Sequence, residues 1–186
     1  MNMETILSKI KYYDYSIYKF FHIAIAGRPG LNEFYLFFAK YGVVLFFIAF
    51  IYLIMKRKIE AFICTFVAMA FAMSADFIIM LFWQRPRPFI SHGNEILTPI
   101  TQGLHVDSAS FPSAHTYIAF AIATSIFLYG HKRLGILLFL LALFIAISHV
   151  GAGLHYPSDI IGGALLGIAS GIFAYIIVSS SEKKWK

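Results

Sequence analysis

Long apolar blocks alternate along this chain with short charged or Gly/Pro-containing breaks. The blocks cover 36–55, 59–83, 112–129, 134–147 and 160–178, most of them close to the ~20 residues that carry a helix across a bilayer. Lys56-Arg57-Lys58, Arg85-Pro86-Arg87-Pro88 and His131-Lys132-Arg133 end the first three, and a basic tail, 182–186, follows the last. The segment before the first block reads differently. Lys9, Lys11, Asp14 and Lys19 interrupt it, and Tyr, Phe and Ile alternate with them, which suits an amphipathic helix lying in the membrane interface. The expected fold is therefore all-α: one integral-membrane helical bundle over 1–186. It has five transmembrane helices (six if the N-terminal segment spans) plus an interfacial N-terminal helix within 1–30.

Composition sharpens this picture. The 186 residues are 60% hydrophobic and 13% charged, against about 25% charged in soluble domains. A net charge of +6 would suit nucleic acid, but the basic residues cluster between apolar blocks, the pattern that orients membrane proteins. No nucleic-acid partner is expected. Five spans place the clusters 56–58, 131–133 and 183–186 on one side, which the positive-inside bias makes cytoplasmic. The end of the second block, the start of the third and the junction of the fourth and fifth then share the extracytoplasmic side of the cytoplasmic (inner) membrane, with 89–111 as a loop over them. The single Cys64 leaves no intrachain disulfide and no multi-cysteine metal site. The first residues lack the pattern of a cleavable signal peptide.

The chemistry-bearing residues gather at those three junctions. Arg85 and Arg87 offer planar guanidinium forks that can bond two phosphate oxygens at once. Phe111-Pro112-Ser113-Ala114-His115 sets a hydroxyl and an imidazole at a helix start, where free amides attract anions. His149 lies at the end of the fourth block. His155 and Asp159 follow, four residues apart across the start of the fifth. A carboxylate beside an imidazole fixes its tautomer and stabilises its protonated form. Two histidines, a carboxylate, arginine and helix-start amides are the parts of a phosphoryl-transfer site needing neither metal nor cofactor.

These three segments resemble the signature motifs of the type-2 phosphatidic-acid phosphatase family, whose site is shared with vanadium haloperoxidases. Arg87-Pro88 matches the end of the first motif. Pro112-Ser113-Ala114-His115 matches the second, with Ala114 for glycine. Ser148, His155 and Asp159 match the third at the family spacing. The resemblance implies that His155 is a nucleophile forming a phosphohistidine and Asp159 its orienting partner. It makes His115 the general acid, and Arg87, Ser113 and the Ala114 position phosphate contacts, with Arg85 and His149 as further candidates. Two positions depart from the pattern: Met80 stands where the first motif has lysine, and His149 where the third has arginine.

The short layout and the Asp107–His115 run are most like bacterial undecaprenyl-pyrophosphate phosphatases, which makes a polyprenyl pyrophosphate in the bilayer the expected substrate. Phosphatidylglycerol-phosphate or lipid A phosphatase activity and lipid-to-lipid phosphotransfer are alternatives. A lipid-phosphate-binding or transport protein with impaired catalysis is the alternative of another class. Outside the motifs, His22, His92, His105 and His131 read as structural or interfacial. Asp76, a costly carboxylate within the second block, is expected to bond a neighbouring helix.

Overall fold

The computed structural model describes residues 2–92 and 109–182. Within them the chain is an all-α bundle. The order is α1 (Met3–Ala26), α2 (Pro29–Tyr41), a 3₁₀ turn (Gly42–Leu45), α3 (Phe46–Met55), α4 (Ile59–Phe82), α5 (Pro88–Ser91), α6 (Ala114–Leu128), α7 (Lys132–Gly151) and α8 (Pro157–Glu182). Among the described residues, four stretches are long and apolar enough to cross a membrane: Pro29–Met55, Ile59–Phe82, Lys132–Gly151 and Pro157–Ser181. The chain is a multi-pass membrane protein. Its first apolar stretch begins seven residues before the expected 36, because Pro29 starts a helix there.

The third apolar block, 112–129, forms a shorter helix than expected. α6 has 15 residues, about 22 Å at 1.5 Å per residue, against a hydrocarbon thickness of about 30 Å. It is the central helix, with Thr116, Tyr117, Ala119 and the whole run Ala121–Ile126 buried. Ala119, Ile122, Ala123 and Ile126 pack with Phe46, Leu53, Leu138, Ala142 and Ile145 into the main core. Small residues let α8 approach α6 closely, as is usual between membrane helices. A Cβ on Gly163 would sit 2.9 Å from the Ser113 carbonyl oxygen, and one on Gly167 would sit 2.9 Å from the Ala121 amide.

Lipid-facing bulk surrounds this core. Phe47, Ile48, Ile51, Ile54 and Met55 on α3, Phe66, Phe77 and Leu81 on α4, and Leu137 and Leu140 on α7 are exposed, as expected where the solvent is hydrocarbon. The rings of Tyr52 and His131 lie 6.2 Å apart, so the basic breaks 56–58 and 131–133 share one end of the bundle. The tail 183–186, most of the 89–111 loop and His105 lie outside the described residues.

α1 is the element least like its expectation. Its Ile10, Tyr12, Tyr13, Ile17, Phe20 and Ile23 are exposed, but Asp14, Tyr18, His22 and Ile25 form a buried stripe at helical spacing. His22 Nδ1 lies 2.9 Å from the Gly151 carbonyl oxygen, which ties α1 to the end of α7.

Candidate active site

Three chain breaks converge at one end of the bundle, each held by backbone as well as side-chain bonds. The Ser110 amide donates to the Arg85 carbonyl at 2.7 Å, and the Ser113 amide donates to the Asp159 carbonyl at 3.1 Å. These two bonds join the segment after α4, the approach to α6 and the first turn of α8. The α7–α8 turn is tight: Gly153 adopts φ +77°, a conformation glycine reaches without strain. The amides of Leu154 and His155 then fold back to the His149 carbonyl at 3.0 and 3.3 Å.

His155, 2% exposed, stands at the centre. Its Nδ1 lies 2.8 Å from the Ser110 carbonyl oxygen and 3.6 Å from Asp159 Oδ2. A carbonyl only accepts, so Nδ1 carries the hydrogen and the neutral ring keeps its lone pair on Nε2. That nitrogen faces Arg87, whose Nη1 lies 3.3 Å away. Burial pushes the His155 pKa below 6.5, against the opposing pull of the Asp159 carboxylate. Burial likewise draws Arg87 down from its usual range, with the Asp159 charge opposing it. Uncharged His155 beside charged Arg87 is the state a nucleophile needs.

Asp159 is fully buried. Its Oδ2 accepts from the Tyr156 amide at 2.8 Å and from the Ser110 hydroxyl, and its Oδ1 accepts from Arg85 Nη1 at 2.7 Å. His155 Nδ1 donates its shorter hydrogen bond to the Ser110 carbonyl, with the Asp159 carboxylate 3.6 Å from the same nitrogen. Sequence reasoning gave Ser110 no role, although it lies within the Asp107–His115 run, three positions before Ser113.

The other candidates fall around this pair. His115 occupies the first turn of α6, its ring 4.7 Å from that of His149, and the His149 ring is 5.7 Å from His155. His149 Nδ1 is bonded to the Ile145 carbonyl at 2.9 Å, and its buried Nε2 has no hydrogen-bond partner among the described residues. Ser113 is fully buried at the N-cap of α6, its Oγ accepting from the Thr116 hydroxyl at 3.0 Å. The amides of Ala114 and His115 precede the first intrahelical bond, from Tyr117 to Ser113, and so belong to the unpaired first turn of a helix.

Arg85 is placed differently from Arg87. Its Nη2 donates to Asp14 at 2.6 Å and its Nη1 to Asp159 and Ser158, with the guanidinium 3.9 Å above the Tyr156 ring. Both arms are engaged by carboxylates, whereas Arg87 lies beside His155 Nε2. Asp14 comes from α1 and was also missed, because nothing in the sequence links it to a residue 71 positions later. Asp76 accepts from the Tyr117 hydroxyl at 3.0 Å, the interhelical bond expected of it. Met80 is half-buried on α4.

A helical membrane bundle with this residue set gathered at one end has the architecture that the three motifs anticipate of the lipid-phosphatase class. The family is the PAP2 superfamily, whose model matches residues 61–183, and the chain belongs to it. Undecaprenyl-diphosphatase BcrC of Bacillus subtilis (strain 168) is 33% identical over 100 residues, 54% of this chain and 49% of that protein. Putative undecaprenyl-diphosphatase YbjG of Escherichia coli (strain K12) is 31% identical over 112 residues, 60% and 54% of the two chains. Bacitracin transport permease protein BcrC of Bacillus licheniformis is 45% identical over 71 residues, 38% and 34%. The chain thus spans from about a third to about half the length of these curated relatives. The crystal structure of Aquifex aeolicus LpxE superposes with a TM-score of 0.64 at 26% identity, covering 86% of this chain and 92% of that one.

Proposed function

We propose that this protein hydrolyses a lipid phosphate in the membrane, with a polyprenyl pyrophosphate such as undecaprenyl pyrophosphate as substrate, through a phosphohistidine on His155. The observation that carries the reading is the His155 tautomer: Nδ1 is held by the Ser110 carbonyl, so the Nε2 lone pair points toward Arg87. The family membership and the two undecaprenyl-diphosphatase relatives support the substrate class.

In this mechanism Arg87, the Ser113 hydroxyl and the first-turn amides of α6 hold the terminal phosphoryl group. Developing negative charge is thus met by fixed donors. His155 Nε2 attacks phosphorus and the bond from phosphorus to the bridging oxygen breaks. Protonated His115 gives its proton to that departing oxygen. His115, now neutral, takes a proton from water as the water oxygen attacks phosphorus. The nitrogen–phosphorus bond breaks, and inorganic phosphate leaves with His155 restored. Asp159, through Ser110 and its own charge, stabilises the positive imidazole ring of the intermediate. The site faces the extracytoplasmic side of the cytoplasmic membrane, as the charge bias of the breaks suggests.

Purified protein in detergent with chelator present should release phosphate from undecaprenyl pyrophosphate faster than from phosphatidylglycerol phosphate or lipid A. His155→Ala should abolish release. Equal release by wild type and His155→Ala would reject the mechanism, and preference for another lipid would reassign the substrate. A second reading, lipid-phosphate binding or transport without turnover, draws on His149 at the arginine position and on the permease name of the B. licheniformis relative. Saturable lipid binding with no phosphate released would favour it.

A further inference from the structure

The charge network behind the site extends to α1, outside the residues 61–183 that match the family. Asp14 is 6% exposed. Its Oδ2 accepts from Arg85 Nη2 at 2.6 Å and from the Ser158 hydroxyl at 2.7 Å, and its Oδ1 accepts from the Ser158 amide at 2.8 Å. Every one of these bonds goes to a residue beside a candidate catalytic group. Arg85 is two residues before Arg87, and Ser158 immediately precedes Asp159 in the first turn of α8. Asp14 thereby caps one of the unpaired amides at the start of α8, although it belongs to a helix 144 residues away in sequence.

Asp14, Arg85, Asp159 and His155 form a line in which charge alternates once the imidazole is protonated. The guanidinium lies between two carboxylates, 2.6 Å from one and 2.7 Å from the other, and divides its charge between them. Without Asp14 the whole Arg85 charge would face Asp159 and cancel more of the negative potential that Asp159 presents to the imidazole 3.6 Å away. Arg85 would also be released from one arm of its clamp and become able to turn toward a phosphate held by Arg87.

Building on the phosphatase reading of the site, we propose that Asp14 is a positioning residue for the His155–Asp159 pair, acting through Arg85 and Ser158. A helix anchor alone would affect stability and leave the pH dependence of turnover where it was. A positioning role moves both kcat and the acidic limb of the profile. That limb reports His155, which faces Arg87, His115 on α6, His149 on α7 and Asp159 on α8, with Arg85 behind Asp159; removing a nearby anion disfavours the protonated ring.

The test uses the full chain in detergent micelles, with undecaprenyl pyrophosphate across pH 5 to 8. Asp14→Asn keeps the side-chain shape and an acceptor for the Ser158 amide. It is expected to lower kcat by about tenfold, the scale of lost supporting hydrogen bonds around a reactive group, without raising KM, and to shift the acidic limb to lower pH. Placed on an Arg85→Gln background, the same change should shift the acidic limb no further, because the charge route from Asp14 to Asp159 runs through Arg85; a further shift of the same size would overturn that route. Wild-type kcat and an unmoved limb in Asp14→Asn, with His155→Ala still inactive, would overturn the proposal and leave the phosphatase reading standing. Lost stability with an unmoved limb would overturn it as well. If Asp14→Asn does not fold, Asp14→Glu decides: same charge and displaced carboxylate predict a lower kcat, and a wild-type kcat overturns the role. A wild type that His155→Ala fails to inactivate would overturn the site reading itself and the proposal with it.

Discussion

His149 donates its Nδ1 hydrogen to the Ile145 carbonyl one helical turn back, and that bond decides how the ring meets a phosphate. In the neutral form Nε2 is an acceptor only, suited to a phosphate oxygen that bears a hydrogen; the protonated form donates. An arginine donates at every pH. His149→Arg should therefore lower KM, and an unchanged KM would show that His149 does not touch the phosphate. His155 makes a stability prediction of definite sign. Its folded pKa lies below 6.5 because of burial, so the unfolded chain binds the extra proton. This contribution is complete above 6.5 and is lost as pH falls from 6.5 toward the folded value. Wild type should lose thermal stability between pH 7 and 5, and His155→Gln should flatten that slope by up to about 1.4 kcal/mol per pH unit; an identical slope in both would contradict it. At this scale the sequence was most readable where spacing is local: His155 and Asp159 are four apart, and Ser113 and His115 share one helix start. Ser110 and Asp14 were invisible because their partners, Asp159 and Arg85, are 49 and 71 positions away and nothing in composition marks such pairs.

At the scale of elements, the site depends on how closely α8 lies against α6. The Asp159 carbonyl bonds the Ser113 amide a few ångströms from where Gly163 meets the Ser113 carbonyl. A side chain at Gly163 would force the two helix starts apart. Gly163→Val should reduce phosphate release by at least tenfold while the protein still inserts and purifies; full activity would show that the α6–α8 spacing is not what sets the site. Block lengths and charged breaks made the long helices legible in advance, since hydropathy alone determines them. They hid two features. α6 is short because the motif at its start takes up residues that would otherwise extend the helix, and its buried position relieves it of matching the bilayer. α1 reads as interfacial from Lys9, Lys11 and Lys19, yet its Asp14–Ile25 stripe is packed against the bundle, which a charge count along the segment does not reveal.

For the whole molecule, helix order brings 85–87, 113–115 and 149–159 to the end opposite the 56–58 and 131–133 breaks. We propose that this basic end is cytoplasmic, as the positive-inside bias suggests. With the buried native Cys64 as background, Gln84→Cys in intact cells should react with a membrane-impermeant maleimide, and Lys132→Cys only after permeabilisation. The reverse pattern would place the site on the cytoplasmic side. The central claim, that His155 Nε2 takes the phosphoryl group, is tested most directly by quenching a turnover of undecaprenyl pyrophosphate in alkali and locating phosphate on the protein by mass spectrometry. Phosphate is predicted on His155, enriched in His115→Ala, where water attack lacks its base. Phosphate on another residue, or full turnover by wild type with His155 never modified, would contradict the account.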